Sequence, residues 1–109
     1  MKKRRITLNK PSLSIVIPTY NERENISQIL EKVRKSLRGV RYEIVFVDDN
    51  SPDGTSDEVK VFMQTSPDIH LIHRIGRRGL SGAIIEGIFA SNSSLVGVMD
   101  CDLQHDETK

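Results

Sequence analysis

Ile44-Val45-Phe46-Val47 is apolar at every position. A strand with one wet face would alternate polar and apolar residues, so Tyr42 to Val47 reads as a strand covered on both faces. Such a strand needs helices above and below it. The chain supplies helical patterns between short apolar runs. Leu13 to Ile17 is β-branched and apolar, and Pro18 ends it as a strand. Asn21 then caps a helix, with Glu24 as its capping-box partner. Ile26, Ile29, Leu30, Val33 and Leu37 recur at helical spacing, and Gly39 is the stop. After Tyr42 to Val47, Asn50-Ser51-Pro52-Asp53-Gly54 is turn chemistry. Thr55 and Glu58 form a second capping box, and Val59, Phe62 and Met63 form a buried stripe. Ser66-Pro67-Asp68 breaks the chain before a third strand, Ile69 to Ile72. Gly76 to Gly79 is a loop. Leu80, Ala83, Ile84 and Ile88 mark a third helix, Ser91 to Ser94 its exit, and Leu95 to Met99 a fourth strand. The order βαβαβαβ predicts a parallel sheet with right-handed helical crossovers.

In an open parallel sheet, ligands bind beyond the carboxyl ends of the strands. Polar clusters fall at three of these exits: Pro18-Thr19-Tyr20-Asn21-Glu22, Asp48-Asp49 and Asp100-Cys101-Asp102. Asp100 and Asp102 flank a residue that points elsewhere if the segment stays extended. Both carboxylates can then face one hard cation, Mg2+ or Mn2+, beside a phosphate. Asp48-Asp49 can accept hydrogen bonds from a base or ribose, or can serve the turn that follows. Tyr20 can stack on a base or pack at the sheet edge, and Glu22 can accept a base N–H or favour its helix start. Arg74, Arg77 and Arg78 flank Gly76 and Gly79. They suit either a diphosphate or a solvated loop. The glycines do not form the dinucleotide fingerprint GxGxxG and follow the third strand, which argues against a dehydrogenase. His70 and His73 face opposite sides of a strand and cannot share a metal. Cys101 reads as a small packed residue.

The chain has 109 residues and a net charge of +1, which argues against bulk nucleic-acid binding. A single cysteine allows no internal disulfide. No apolar run is long enough for a transmembrane helix. Residues 1–12 form a basic flexible arm, and residues 13–109 form one domain, expected to be incomplete because Lys109 follows Asp102 by seven residues.

The block Ile15-Val16-Ile17-Pro18-Thr19-Tyr20-Asn21-Glu22-Arg23-Glu24-Asn25 resembles the opening of family-2 glycosyltransferases of the dolichol-phosphate mannose synthase type. Tyr42 to Thr55, Gly79 to Ala83 and Met99 to His105 resemble three further blocks in the same order. The resemblance implies a GT-A, Rossmann-like nucleotide-sugar fold with helices on both faces of a mostly parallel sheet. It also implies transfer of mannose from GDP-mannose to a polyprenyl phosphate with inversion, at the cytoplasmic face of a membrane, aided by Mg2+ or Mn2+. Related bacterial enzymes use UDP-sugars on undecaprenyl phosphate and share the opening blocks. Carried to matching positions, Pro18, Tyr20, Glu22, Val47 and Asp49 surround the guanosine. Asp100 and Asp102 bind the metal, with the Cys101 backbone and Gln104 nearby. Two departures stand out. Cys101 replaces the usual alanine of the acidic motif, and Asp106-Glu107 replaces the proline pair that often follows the histidine.

Overall fold

The computed structural model describes residues 10–101. Four parallel strands alternate with three helices. The strands are β1 (Leu13–Thr19), β2 (Tyr42–Asp48), β3 (Ile69–His73) and β4 (Val96–Val98). The helices are α1 (Ile26–Ser36), α2 (Thr55–Met63) and α3 (Leu80–Ala90), with a 3-10 turn over Arg23–Asn25. The sheet order is β3-β2-β1-β4. Leu13 pairs with Tyr42 and Thr19 with Asp48, while Ser14 to Val16 pair with Val96 to Val98 on the other side of β1.

Right-handed crossovers decide which face each helix covers. The chain first walks outward from β1 to β2 to β3, so α1 and α2 lie on one face. It then returns past β1 to β4, so α3 lies on the other. Two separate core clusters record this. Ile15, Ile17, Ile44 and Phe46 pack with Ile26, Ile29, Val33 and Val59. Val16, Val45 and Val47 pack with Ala83. Successive residues of each strand thus enter opposite cores, as the unbroken apolar run of β2 predicts. The winding direction reverses between β1 and β4, and ligands of open α/β sheets bind beyond the strand exits at such a point.

Several expected boundaries move. β1 continues through Pro18 to Thr19 instead of ending at Ile17. Ser14 N–H and Val16 C=O bond toward the β4 side, so Pro18, of the same parity, turns its missing donor beyond the end of β4. Neither expected capping box forms. Asn21 sits at φ +56 in the left-handed region, not at a helix cap. The first-turn N–H groups before α1 are satisfied from across the fold: Glu22 N donates to Thr55 Oγ1 at 3.0 Å and Arg23 N to Asp53 Oδ2 at 3.1 Å. Thr55 is already helical, and Asp53 Oδ1 accepts its N–H at 3.0 Å. Gly39, at φ +82, does end the turn after α1.

The third helix forms as expected, and its buried face is made of small residues. Ala83 and Gly87 meet the sheet, while Leu80 is 66% and Ile88 42% exposed. Small residues let the helix axis approach. A Cβ on Gly87 would collide with Val16 Cγ1 and lie 3.2 Å from Val47 Cγ2. The opposite flank of α3 carries exposed Ile85 and Phe89.

At the amino ends of the strands, Glu43 is 3% exposed. Its carboxylate accepts Ser14 Oγ at 2.5 Å, Asn92 N at 2.5 Å and Asn92 Nδ2 at 2.9 Å, and lies 3.2 Å from His70 Nε2. Desolvation pushes its pKa upward, but these donors and the imidazole outweigh that and hold it below the usual value. Residues 10–12 are hydrogen-bonded to the domain, through Ser12 N to Arg41 O, Arg41 Nη1 to Lys10 O and Ser93 Oγ to Pro11 O. The rest of the expected basic arm, 1–9, lies outside the described residues. Among the described residues, no helix is long and apolar enough to cross a membrane.

Gly87→Ala is expected to lower unfolding free energy by about 1–3 kcal/mol through overpacking, read from urea unfolding, with Val16→Ala restoring part of the loss. Because the Glu43 pKa is lowered on folding, the stability it contributes is present above the unfolded glutamate value, about 4.3, and is lost as pH falls through the lower folded value. Glu43→Gln should therefore destabilise at neutral pH, with the gap to the wild type closing as acid is added.

Candidate active site

Asp48 and Asp49 are neighbours with opposite duties. Asp48 follows the parity of Ile44 and Phe46 and turns toward α2. Fully buried, it accepts Thr19 Oγ1 at 2.9 Å, Ser56 Oγ at 2.7 Å, Ser51 Oγ at 2.5 Å and Ser51 N at 3.2 Å. It therefore serves the turn. Asp49 follows Val45 and Val47 toward α3. Its Oδ2 accepts Gly79 N–H at 3.0 Å. A carboxylate oxygen accepts two hydrogen bonds, so Oδ2 keeps one free acceptor position.

The same alternation brings Pro18 and Tyr20 to the α3 side. Pro18, Thr19, Tyr20, Asp49, Leu80 and Ala83 line a pocket of about 160 Å³ at the exits of β1 and β2. Sites that enclose a drug-sized ligand run to roughly 300–1,000 Å³, so this one fits the edge of a single ring system. Larger hollows of about 460 Å³ lie elsewhere, one beside Glu43 and His70 at the amino ends of the strands and one between α1 and α2. Val47 is buried beneath the pocket with Ala83 and does not line it. Glu22 also stands outside the lining, where its Oε1 accepts Asn25 Nδ2 at 2.8 Å.

Asp100 leaves β4 on the same rim. Met99 N–H donates to Val16 O at 2.9 Å, which keeps the chain extended past Val98. Val96 packs on the α3 side, whereas Met99 and Cys101 pack into the opposite core. Asp100 thus shares a side with Val96, Tyr20 and Asp49. Two strand spacings separate the β2 and β4 exits, about 10 Å. Asp102, Gln104 and His105 lie outside the described residues. Cys101 is buried, so its thiol points away from the rim and oxygen donors remain there. A carboxylate suits Mg2+ or Mn2+, which take one or two carboxylates and keep waters. Among the described residues, no three acidic, histidine or cysteine side chains are grouped as a complete metal cage.

The three arginines separate. Arg74 is 3% exposed and belongs to neither expected environment. Its Nη1 donates to Gly79 O at 3.1 Å and lies 3.4 Å from Asp49 Oδ1; its Nε lies 3.3 Å from Glu86 Oε2. A Cβ on Gly82 would stand 2.9 Å from Arg74 Nη2, so this helical glycine makes room for the guanidinium. Arg77 forks onto Glu86 at 2.9 and 3.2 Å. Arg78 lies over the Tyr20 ring, 4.7 Å from its centroid. Sequence reading missed Glu86, Leu80 and Ala83 as parts of this site. Gly82 inside a helix was the available signal, since such a glycine often marks a close approach.

A parallel sheet that reverses direction is a doubly wound α/β arrangement, and here it takes the GT-A glycosyltransferase form. A mannosyltransferase from Pyrobaculum calidifontis solved with GDP-mannose and Mn2+ superposes with a TM-score of 0.70 at 28% identity, over 85% of this chain and 28% of that one. The chain belongs to glycosyl transferase family 2, whose model matches residues 14–109. It is 42% identical over 93 residues to a dolichol-phosphate mannosyltransferase of Pyrococcus furiosus, covering 85% of this chain and 26% of the relative. It is 33% identical to the Saccharomyces cerevisiae dolichol-phosphate mannosyltransferase, over 84% of this chain and 36% of that protein. The chain thus spans well under half the length of these relatives.

Arg74→Met should remove the cation shared by Asp49 and Glu86. Unfolding free energy is expected to fall by about 2–4 kcal/mol in denaturant titration, below a fully dry pair because Glu86 is partly exposed.

Proposed function

We propose that residues 13–109 are the nucleotide-binding part of an enzyme that moves mannose from GDP-mannose to a polyprenyl phosphate at the cytoplasmic face of a membrane. The observation that carries this reading is the 42% identity to a dolichol-phosphate mannosyltransferase across 85% of the chain. The geometry supports it. Asp49 offers an acceptor to base N–H groups, with Pro18 and Tyr20 forming the wall of the base pocket. Val47 and Glu22 act from just outside it, as a buried floor and at the start of the first helical segment. A nucleoside diphosphate laid from the β2 exit across β1 reaches Asp100, since the strand spacing sets that path at about 10 Å.

Asp100 and Asp102 would hold Mg2+ or Mn2+, with the Cys101 backbone and Gln104 beside the diphosphate. When bound, that cation neutralises charge gathering on the departing diphosphate. The acceptor phosphate is already anionic near neutral pH, so the chain need not supply a strong base. What it supplies is placement: a fixed base pocket sets the anomeric carbon in line between the two phosphates, and one displacement inverts it.

Calorimetric titration tests the reading. GDP with Mn2+ should bind, and UDP should bind at least about tenfold more weakly, a difference of 1.4 kcal/mol. Asp100→Ala with Asp102→Ala should abolish the metal-dependent part of GDP affinity. Equal affinity for UDP would transfer the assignment to a UDP-sugar, and an unchanged metal response would remove both aspartates from the site.

A further inference from the structure

Arg78 is an exposed cation that the proposed chemistry leaves unused. Its guanidinium lies 4.7 Å from the centroid of Tyr20, and its Nη2 donates to the Tyr20 hydroxyl at 2.9 Å. A stacking contact and a hydrogen bond together fix both the tilt and the swing of the ring. Arg78 is itself held from behind. The next residue, Gly79, gives its N–H to Asp49 and its carbonyl to Arg74. Gly76 and Gly79 adopt φ of +81 and +119, which a residue with a side chain rarely takes, so these two glycines let the loop turn into α3. Tyr20 lines the pocket and Arg78 does not, so the ring meets the cation on one part of its surface and the pocket on another.

We infer that Arg78 is a positioning residue that clamps Tyr20 for nucleobase stacking. Tyr20 is 41% exposed at a strand exit, and without a partner it would sample several rotamers. Ordering such a ring only when ligand arrives would be charged against affinity, and the clamp removes that loss beforehand. The inference rests on the nucleotide reading above and adds a residue that acts through Tyr20, not on the ligand.

A double-mutant cycle read by calorimetry tests it, with GDP·Mn2+ and inorganic pyrophosphate·Mn2+ as probes. Arg78→Leu should raise the GDP Kd about fivefold. It should leave pyrophosphate binding unchanged and cause no further loss when Tyr20 is already leucine. Equal losses for GDP and pyrophosphate would make Arg78 a direct diphosphate ligand and overturn the clamp. So would an Arg78→Leu effect undiminished in the Tyr20→Leu background, or an unchanged GDP Kd in a protein whose wild type binds GDP. A wild type that binds no GDP would bring down the nucleotide reading itself, and the clamp with it.

Discussion

One buried carboxylate organises the carboxyl edge of this sheet. Asp48 has no cation beside it and is satisfied by hydroxyl and backbone donors from β1, from the loop before α2 and from α2 itself. Its backbone carbonyl also accepts Arg74 N–H at 2.8 Å, which carries the order across to β3. Leaving such a group unsatisfied in a dry site costs about 1–3 kcal/mol or more, so its surroundings have little freedom to differ. With Asp48 fixed, the next residue must emerge on the other face. Asp49 is aimed by its neighbour before any ligand is considered.

A second layer of order lies behind the crevice. Arg74 links Asp49 to Glu86, and Glu86 receives Arg77. The loop between β3 and α3 is therefore held by these charges and by the hydrogen bonds of Gly79 to Asp49 and Arg74. Under the proposed function, catalysis by placement would need this order, because a displaced base pocket would move the distant reacting carbon with it.

All four strands and three helices were legible in the sequence, because each carries its own period or apolar run. Topology was legible in outline from their alternation. Four features were not. The first helix lacks a local cap because its N–H partners come from Asp53 and Thr55, which no motif of neighbouring residues encodes. The contact face of α3 was not assigned, because its flanks are as apolar as that face and periodicity has no contrast to report. Contact there depends on the smallness of Ala83 and Gly87. Arg74 looked like a surface cation because burial is decided by Glu86 and Asp49, partners from other elements. Local sequence did not separate Asp48 from Asp49, although strand parity does; only the family resemblance singled out Asp49. The acidic exit was readable as a pair, and its first member, Asp100, follows β4 at its carboxyl end.

The borrowed capping of the first helical segment has a kinetic side. Its leading amides find their acceptors on Asp53 and Thr55, thirty-odd positions later in the chain. Until β2 has docked on β1 and the following turn has closed, that end of the segment is expected to fray. Loop closure over such a distance precedes its reward. The ligand-facing edge should thus assemble late and all at once, a cooperative patch resting on a sheet that forms without it.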